Sequence, residues 1–163
     1  MVMEGFKVVG EGLAGTESVA EAVAGLLRQG DAILLDGKLA AGKTHFVKAL
    51  ARALGSADAV TSPTYAIAHF YATGIGRVLH IDAYRLSGPA EFRDLGLDGY
   101  FADVITVVEW GRIVAEEFVD HLAIDLDFTD EADTVRTLSF ACAGDRWAPE
   151  MATLRARIAE RPA

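Results

Sequence analysis

The stretch LLDGKLAAGKTH, Leu34 to His45, sets Gly37, Gly42, Lys43 and Thr44 at the spacing G-x-x-x-x-G-K-[ST]. A loop of this composition between a buried strand and a helix points successive backbone N–H groups at a phosphate. The helix N-terminus adds positive potential, and Lys43 adds a point charge for the outer phosphates. Gly37 and Gly42 permit the backbone conformations and the close approach that such a loop needs. The motif has meaning only with a strand before it and a helix after it. Both flanks comply: Ala32 to Leu35 (AILL) reads as a short buried strand, and Phe46, Leu50 and Leu54 recur every fourth residue until Gly55 stops the helix.

Working outward, Thr16 to Gln29 carries Val19, Val23, Leu26 and Leu27 at helical spacing, with Ser18 and Glu21 spaced as a capping box and Gly30 at the end. Two apolar runs end in an acid, VLHID (Val78 to Asp82) and ITVVE (Ile105 to Glu109), and both read as central strands of a mostly parallel sheet. From His121, HLAIDLDF alternates apolar and polar residues, as does TVRTLSFACAG, with DEAD as a polar turn between them. That pattern predicts a half-exposed antiparallel pair at the sheet edge. The tail from Trp147 has Met151, Leu154 and Ile158 at helical spacing. The expected architecture is α/β: a P-loop NTPase-like three-layer fold, its sheet mostly parallel with an antiparallel edge hairpin near the C-terminus, in one domain spanning residues 1–163.

Composition bounds the function. With 52% hydrophobic residues in 163, the chain can bury a proper core. A net charge of -9 opposes binding to a nucleic-acid backbone, so no direct nucleic-acid contact is expected. The single cysteine, Cys142, excludes a disulfide within the chain and reads as a small core residue. The start MVMEGFKVVG lacks a secretory pattern and no apolar run approaches a membrane span, so a reducing cytoplasm is the expected compartment and no membrane partner is expected.

A nucleotide-bound magnesium ion takes the hydroxyl after the lysine, here Thr44, plus a carboxylate, phosphate oxygens and waters. Asp82 and Glu109 both stand at carboxyl ends of predicted strands, the edge of an open α/β sheet where ligands bind. Arg85 either reaches a phosphate or pairs with Asp82. In VTSPTY (Val60 to Tyr65), Pro63 restrains a loop bearing Thr61, Ser62 and Thr64, which reads either as a phosphate-sensing segment or as a surface turn. His45 and His80 have no nucleophile pattern beside them and read as structural or local contacts.

Taken in order, LLDGKLAAGKTHF, VTSPTY, HIDAYRL, DLGLDGYF and VVEW resemble the TsaE family, bacterial P-loop ATPases needed for threonylcarbamoyladenosine in tRNA. The resemblance runs from about Thr16 to Trp110. It implies that Gly37, Lys38, Leu39, Ala40, Ala41, Gly42 and Lys43 hold the ATP phosphates and that Thr44 and Glu109 serve Mg2+. By the same resemblance Asp82 and Glu109 act in hydrolysis, the loop with Thr64 behaves as a switch, and Thr16 and Trp110 lie near the nucleotide. Two positions depart from the family: it usually has glycine where Ala40 stands and threonine where His45 stands. The arginine often found before the family's last strand is not clearly matched around Ala132 to Val135. The implied partner is the threonylcarbamoyl transferase complex of TsaD and TsaB, on which the family hydrolyses ATP. With no evident arginine finger or water-positioning glutamine in the sequence, the chain alone is expected to hydrolyse ATP slowly and the partner to activate it.

Three other readings compete. A small-molecule or nucleotide kinase would need an arginine-bearing lid, for which Arg85 to Gly96 is the candidate. A guanine-nucleotide switch would need an N-K-x-D sequence, which is absent from the chain. A subunit that uses ATP only as a structural ligand would need nothing further.

Overall fold

In a computed structural model, described over residues 2–38, 42–58, 60, 67–128 and 135–161, the strands are β1 (Val2–Glu11), β2 (Ala32–Gly37), β3 (Ala68–Thr73), β4 (Gly76–Asp82), β5 (Val104–Glu109), β6 (His121–Phe128) and β7 (Val135–Ala143). The helices are α1 (Gly12–Ala24), α2 (Lys43–Ala53), α3 (Pro89–Asp94) and α4 (Met151–Ala159), with a 3-10 helix at Gly111–Glu117. The strands form one sheet in the order β1-β7-β6-β2-β5-β4-β3.

Side chains alternate across a strand, so each of β2, β4 and β5 feeds two cores. Ile33 and Leu35 of β2, Val78 of β4, and Ile105 and Val107 of β5 join Val19, Val23, Phe46, Val47 and Leu50 of α1 and α2 in one buried cluster. Leu34, Leu79, Ile81, Val104 and Val108 face the other way, onto Phe92 of α3 and Val114 of the 3-10 helix. Phe46 and Leu50 are fully buried, which at about 1.5–3 kcal/mol per side chain holds α2 against the sheet. The same alternation puts His80, Asp82 and Glu109 on the α2 face.

Two expectations need correction. The sheet is mixed rather than mostly parallel: β6-β2, β2-β5 and β5-β4 are parallel, while β1-β7, β7-β6 and β4-β3 are antiparallel. The β6-β7 hairpin does form, but it is not the edge, because β1 pairs along the outside of β7. Neither β1 nor β3 has an apolar run that marks it. Their pairing comes from lying beside a strand already held in the sheet.

The first helix also starts earlier than its periodicity predicts. Glu11 is its N-cap with no side-chain cap bond, so Ser18 and Glu21 lie inside the helix and form no capping box. A Cβ added to Gly15 would come within 2.7 Å of the Gly10 backbone, so two glycines let the chain fold back from β1 directly into α1. The DEAD turn lies outside the described residues. The tail helix, Met151–Ala159, is anchored by Leu154 and preceded by the fully buried Trp147.

Candidate functional site

The carboxyl ends of β2, β4 and β5 lie side by side, which is where an open α/β sheet presents its ligand edge. After β2, Gly42 adopts φ 105°, a left-handed conformation that favours glycine, and α2 begins at Lys43. The Lys43 ammonium folds back along the loop and donates to the carbonyls of Gly37 (2.8 Å) and Lys38 (3.0 Å). It also sits 4.0 Å from the centre of the Trp110 ring, a cation–π contact. Burial pushes its pKa below the ordinary lysine value, and the charges of Glu109, Asp36 and Asp82 oppose that shift.

The first turn of α2 places Thr44 against β5. Its hydroxyl donates to the Glu109 carboxylate, 3.1 Å from Oε1 and 3.3 Å from Oε2. Glu109 is 4% exposed, and its second oxygen lies 2.5 Å from Nε2 of the fully buried His80. Asp82 is the direct register neighbour of Glu109 in the parallel ladder, and its Oδ1 accepts the N–H of Tyr84 at 3.0 Å. A hydroxyl beside two strand-end carboxylates is a donor set for a hard cation whose remaining ligands are phosphate oxygens and water. Among the described residues no three His, Cys, Asp or Glu side chains group as a metal site of their own.

Trp110 follows Glu109 in a left-handed conformation (φ 61°, ψ 39°), the one such non-glycine residue among those described. Its N–H donates to Leu35 at 2.7 Å, and its ring packs on Tyr84 at 5.0 Å. Gly111 then passes so close to Leu34 that a Cβ there would lie 2.7 Å from the leucine Cβ. Beside these residues opens a cleft of about 780 Å³ lined by Asp36, Gly37, Lys38, Tyr84, Trp110 and Arg112.

The fold thus brings together Gly37, Lys38, Gly42, Lys43, Thr44, Asp82, Glu109 and Trp110. Leu39, Ala40, Ala41 and Thr64 lie outside the described residues, as do Thr61, Ser62, Pro63 and Tyr65 of the VTSPTY loop. Thr16 is fully buried early in α1, and its hydroxyl has no hydrogen-bond partner among the described residues. His45 makes a local contact: its Nε2 is 3.1 Å from Glu17 of α1, out of line for a hydrogen bond. Arg85 is exposed.

Two residues escaped the sequence analysis, Arg136 and Tyr71, and a third, His80, was read there only as a structural contact. Arg136, at the start of β7, reaches the phosphate-loop motif: a Cβ on Gly42 would sit 3.4 Å from its Nε. Arg136 is the second residue of β7, inside the last strand and not before it. Tyr71 and His80 are linked to Glu109. For His80 the signal was its spacing, two residues before Asp82 on the same strand face.

These features define an α/β protein with a mixed sheet and a glycine–lysine–threonine loop set against strand-end acids. The family model for threonylcarbamoyl adenosine biosynthesis protein TsaE matches residues 11–138, and the chain belongs to that family. It is 46% identical over 132 residues to the tRNA threonylcarbamoyladenosine biosynthesis protein TsaE of Streptomyces coelicolor, covering 77% of this chain and 89% of that one. Identity to the protein of the same name from Bacillus subtilis is 34% over 133 residues, covering 81% and 82%. The crystal structure of Bacillus subtilis YdiB superposes with a TM-score of 0.76 at 27% identity, covering 98% of this chain and 96% of that one.

Proposed function

We propose that residues 1–163 act as one P-loop ATPase domain of three-layer type, working in the cytoplasm in the formation of threonylcarbamoyladenosine in tRNA. Lys43 and the loop from Gly37 to Gly42 hold the ATP phosphates, and Thr44 with Glu109 hold Mg2+. Asp82 acts in hydrolysis, while Thr16, Thr64 and Trp110 border the nucleotide. Family membership supports the pathway. The observation that carries the ATPase reading is the Thr44–Glu109 contact beside Asp82, with the Lys43 ammonium turned onto the loop carbonyls. The Thr16 hydroxyl, which has no hydrogen-bond partner among the described residues, and the Arg136 side chain at Gly42 fit the same ligand.

Magnesium supplies charge neutralisation for the transferring phosphoryl group when bound. Thr44 and Glu109 would hold it, with His80 keeping the second Glu109 oxygen in place. Apart from Arg136, no described side chain is an evident arginine finger, and none is a water-positioning glutamine; the threonylcarbamoyl transferase complex of TsaD and TsaB is the proposed source of activation. Such missing groups are worth roughly 10³ to 10⁵ in rate in other phosphate-loop enzymes. With a net charge of -9 the chain acts on that protein complex and not on the tRNA itself.

Calorimetry with ATP tests the reading. Lys43→Ala removes the point charge from the outer phosphates and is expected to lower ATP affinity by about tenfold or more, the loss of one charge-assisted hydrogen bond. Unchanged affinity in a folded variant refutes it. Adding the transferase complex should raise ATP turnover, whereas raised turnover on a small-molecule acceptor instead would favour the kinase.

A further inference from the structure

Val78, His80 and Asp82 alternate with Leu79 and Ile81 along β4, so His80 points with Val78 into the core beneath α2. It is 0% exposed there. A buried imidazole is costly unless both ring nitrogens find partners. Both do, and both partners are side chains. Nε2 lies 2.5 Å from Oε2 of Glu109, and Nδ1 lies 3.2 Å from the hydroxyl of Tyr71 on β3. A carboxylate only accepts, so Nε2 carries the proton. In the neutral ring Nδ1 then accepts from the Tyr71 hydroxyl. Tyr71 is itself 3% exposed.

At the far end of this chain, Glu109 accepts from the Thr44 hydroxyl. Four side chains from β3, β4, β5 and α2 therefore form one hydrogen-bonded line running from the outer hairpin to the first turn of the phosphate-loop helix. The imidazole holds Oε2 and so restrains rotation of the carboxylate, which keeps Oε1 the nearer of its two oxygens to Thr44, at 3.1 against 3.3 Å. Groups that hydrogen-bond a ligating carboxylate fix its orientation and tune its affinity for the cation.

We propose that His80, oriented by Tyr71, is a positioning residue that holds the Glu109 carboxylate in the attitude needed to bind Mg2+ with Thr44. The inference rests on the phosphate-loop reading above. It gives the β3-β4 hairpin a direct hold on the site through a residue that touches neither nucleotide nor metal.

The test is magnesium-dependent binding of a non-hydrolysable ATP analogue to the full chain, titrated with Mg2+ and repeated in EDTA. His80→Leu is expected to raise the magnesium midpoint by about 10- to 100-fold, the usual cost of losing such a supporting partner. Affinity in EDTA should not change. Tyr71→Phe, which deletes one hydroxyl, should move the midpoint the same way by less. His80→Gln, which keeps an amide donor near the Nε2 position, should recover part of the loss. An unshifted midpoint in folded His80→Leu overturns the proposal, and so does a loss that is equal with and without magnesium. If His80→Leu does not fold, an unshifted midpoint in Tyr71→Phe overturns it. If the wild-type chain binds the analogue with no magnesium dependence, the metal assignment itself falls and this inference with it, an outcome distinct from an unshifted variant.

Discussion

The hydroxyl of Thr44 lies 3.1 Å from Oε1 of Glu109, although 65 residues separate the two in the chain. The contact joins the first turn of α2 to the last residue of β5. It makes the start of the helix and the strand edge one unit, and the magnesium proposal is built on it.

Glu109→Gln keeps the shape and one acceptor oxygen but removes the charge. It should therefore weaken the magnesium dependence of nucleotide binding while leaving metal-free binding in place. Asp82→Asn should leave binding intact and lower turnover, since the Tyr84 N–H it accepts can still bond an amide oxygen. Magnesium titrations of the two variants check the division of roles, and identical curves for wild type and Glu109→Gln would refute it.

Trp110 holds a left-handed backbone at φ 61°. A side chain there costs about 1–2 kcal/mol that glycine does not incur. Trp110→Gly and Trp110→Ala both delete the ring that covers Lys43. Urea unfolding should find the glycine variant more stable than the alanine variant, and equal midpoints would show that the turn carries no strain.

Asp36 lines the cleft beside the loop, and its Oδ1 accepts the N–H of Arg112. Burial raises its pKa above the ordinary 3.8, helped by the charge of Asp125 and opposed by Arg112 and Lys43. A carboxyl raised in the folded state contributes stability below its unfolded pKa and loses it as pH rises through the folded value. Asp36→Asn should therefore raise the melting temperature at pH 7, with the gain shrinking as pH falls toward 3.8. Melting curves at several pH values read the effect, and a gain independent of pH would contradict it.

Arg146 grips Asp31 at the start of β2 with two bonds, 2.7 and 2.9 Å long, and donates to the Leu26 carbonyl at 2.7 Å. The Asp31 side chain is 3% exposed. Arg146→Ala would leave a buried carboxylate short of its main partner and should cost about 3–5 kcal/mol in urea unfolding. The double variant Asp31→Leu/Arg146→Met, which removes both charges, should recover part of that loss.

The helix after the glycine–lysine–threonine motif, and the two strands ending in Asp82 and Glu109, were legible in the chain because each depends on local spacing. In the folded sheet, alternation along β4 and β5 puts both acids on the face where α2 lands. What spacing cannot carry is strand order. That β3 lies beside β4, and β4 beside β5, is what threads Tyr71 and His80 to Glu109, so His80 read alone was one more buried imidazole. That β7 lies between β6 and β1 is what brings Arg136 to Gly42 and takes the hairpin off the edge. Backbone pairing at β1 and β3 leaves little trace in hydrophobicity, because half their side chains face solvent and glycines interrupt β1. The parts of the site were written in residues a few positions apart, and their joining was settled by which strands hydrogen-bond to which, since only a folded sheet sets residues from distant segments within a few ångströms.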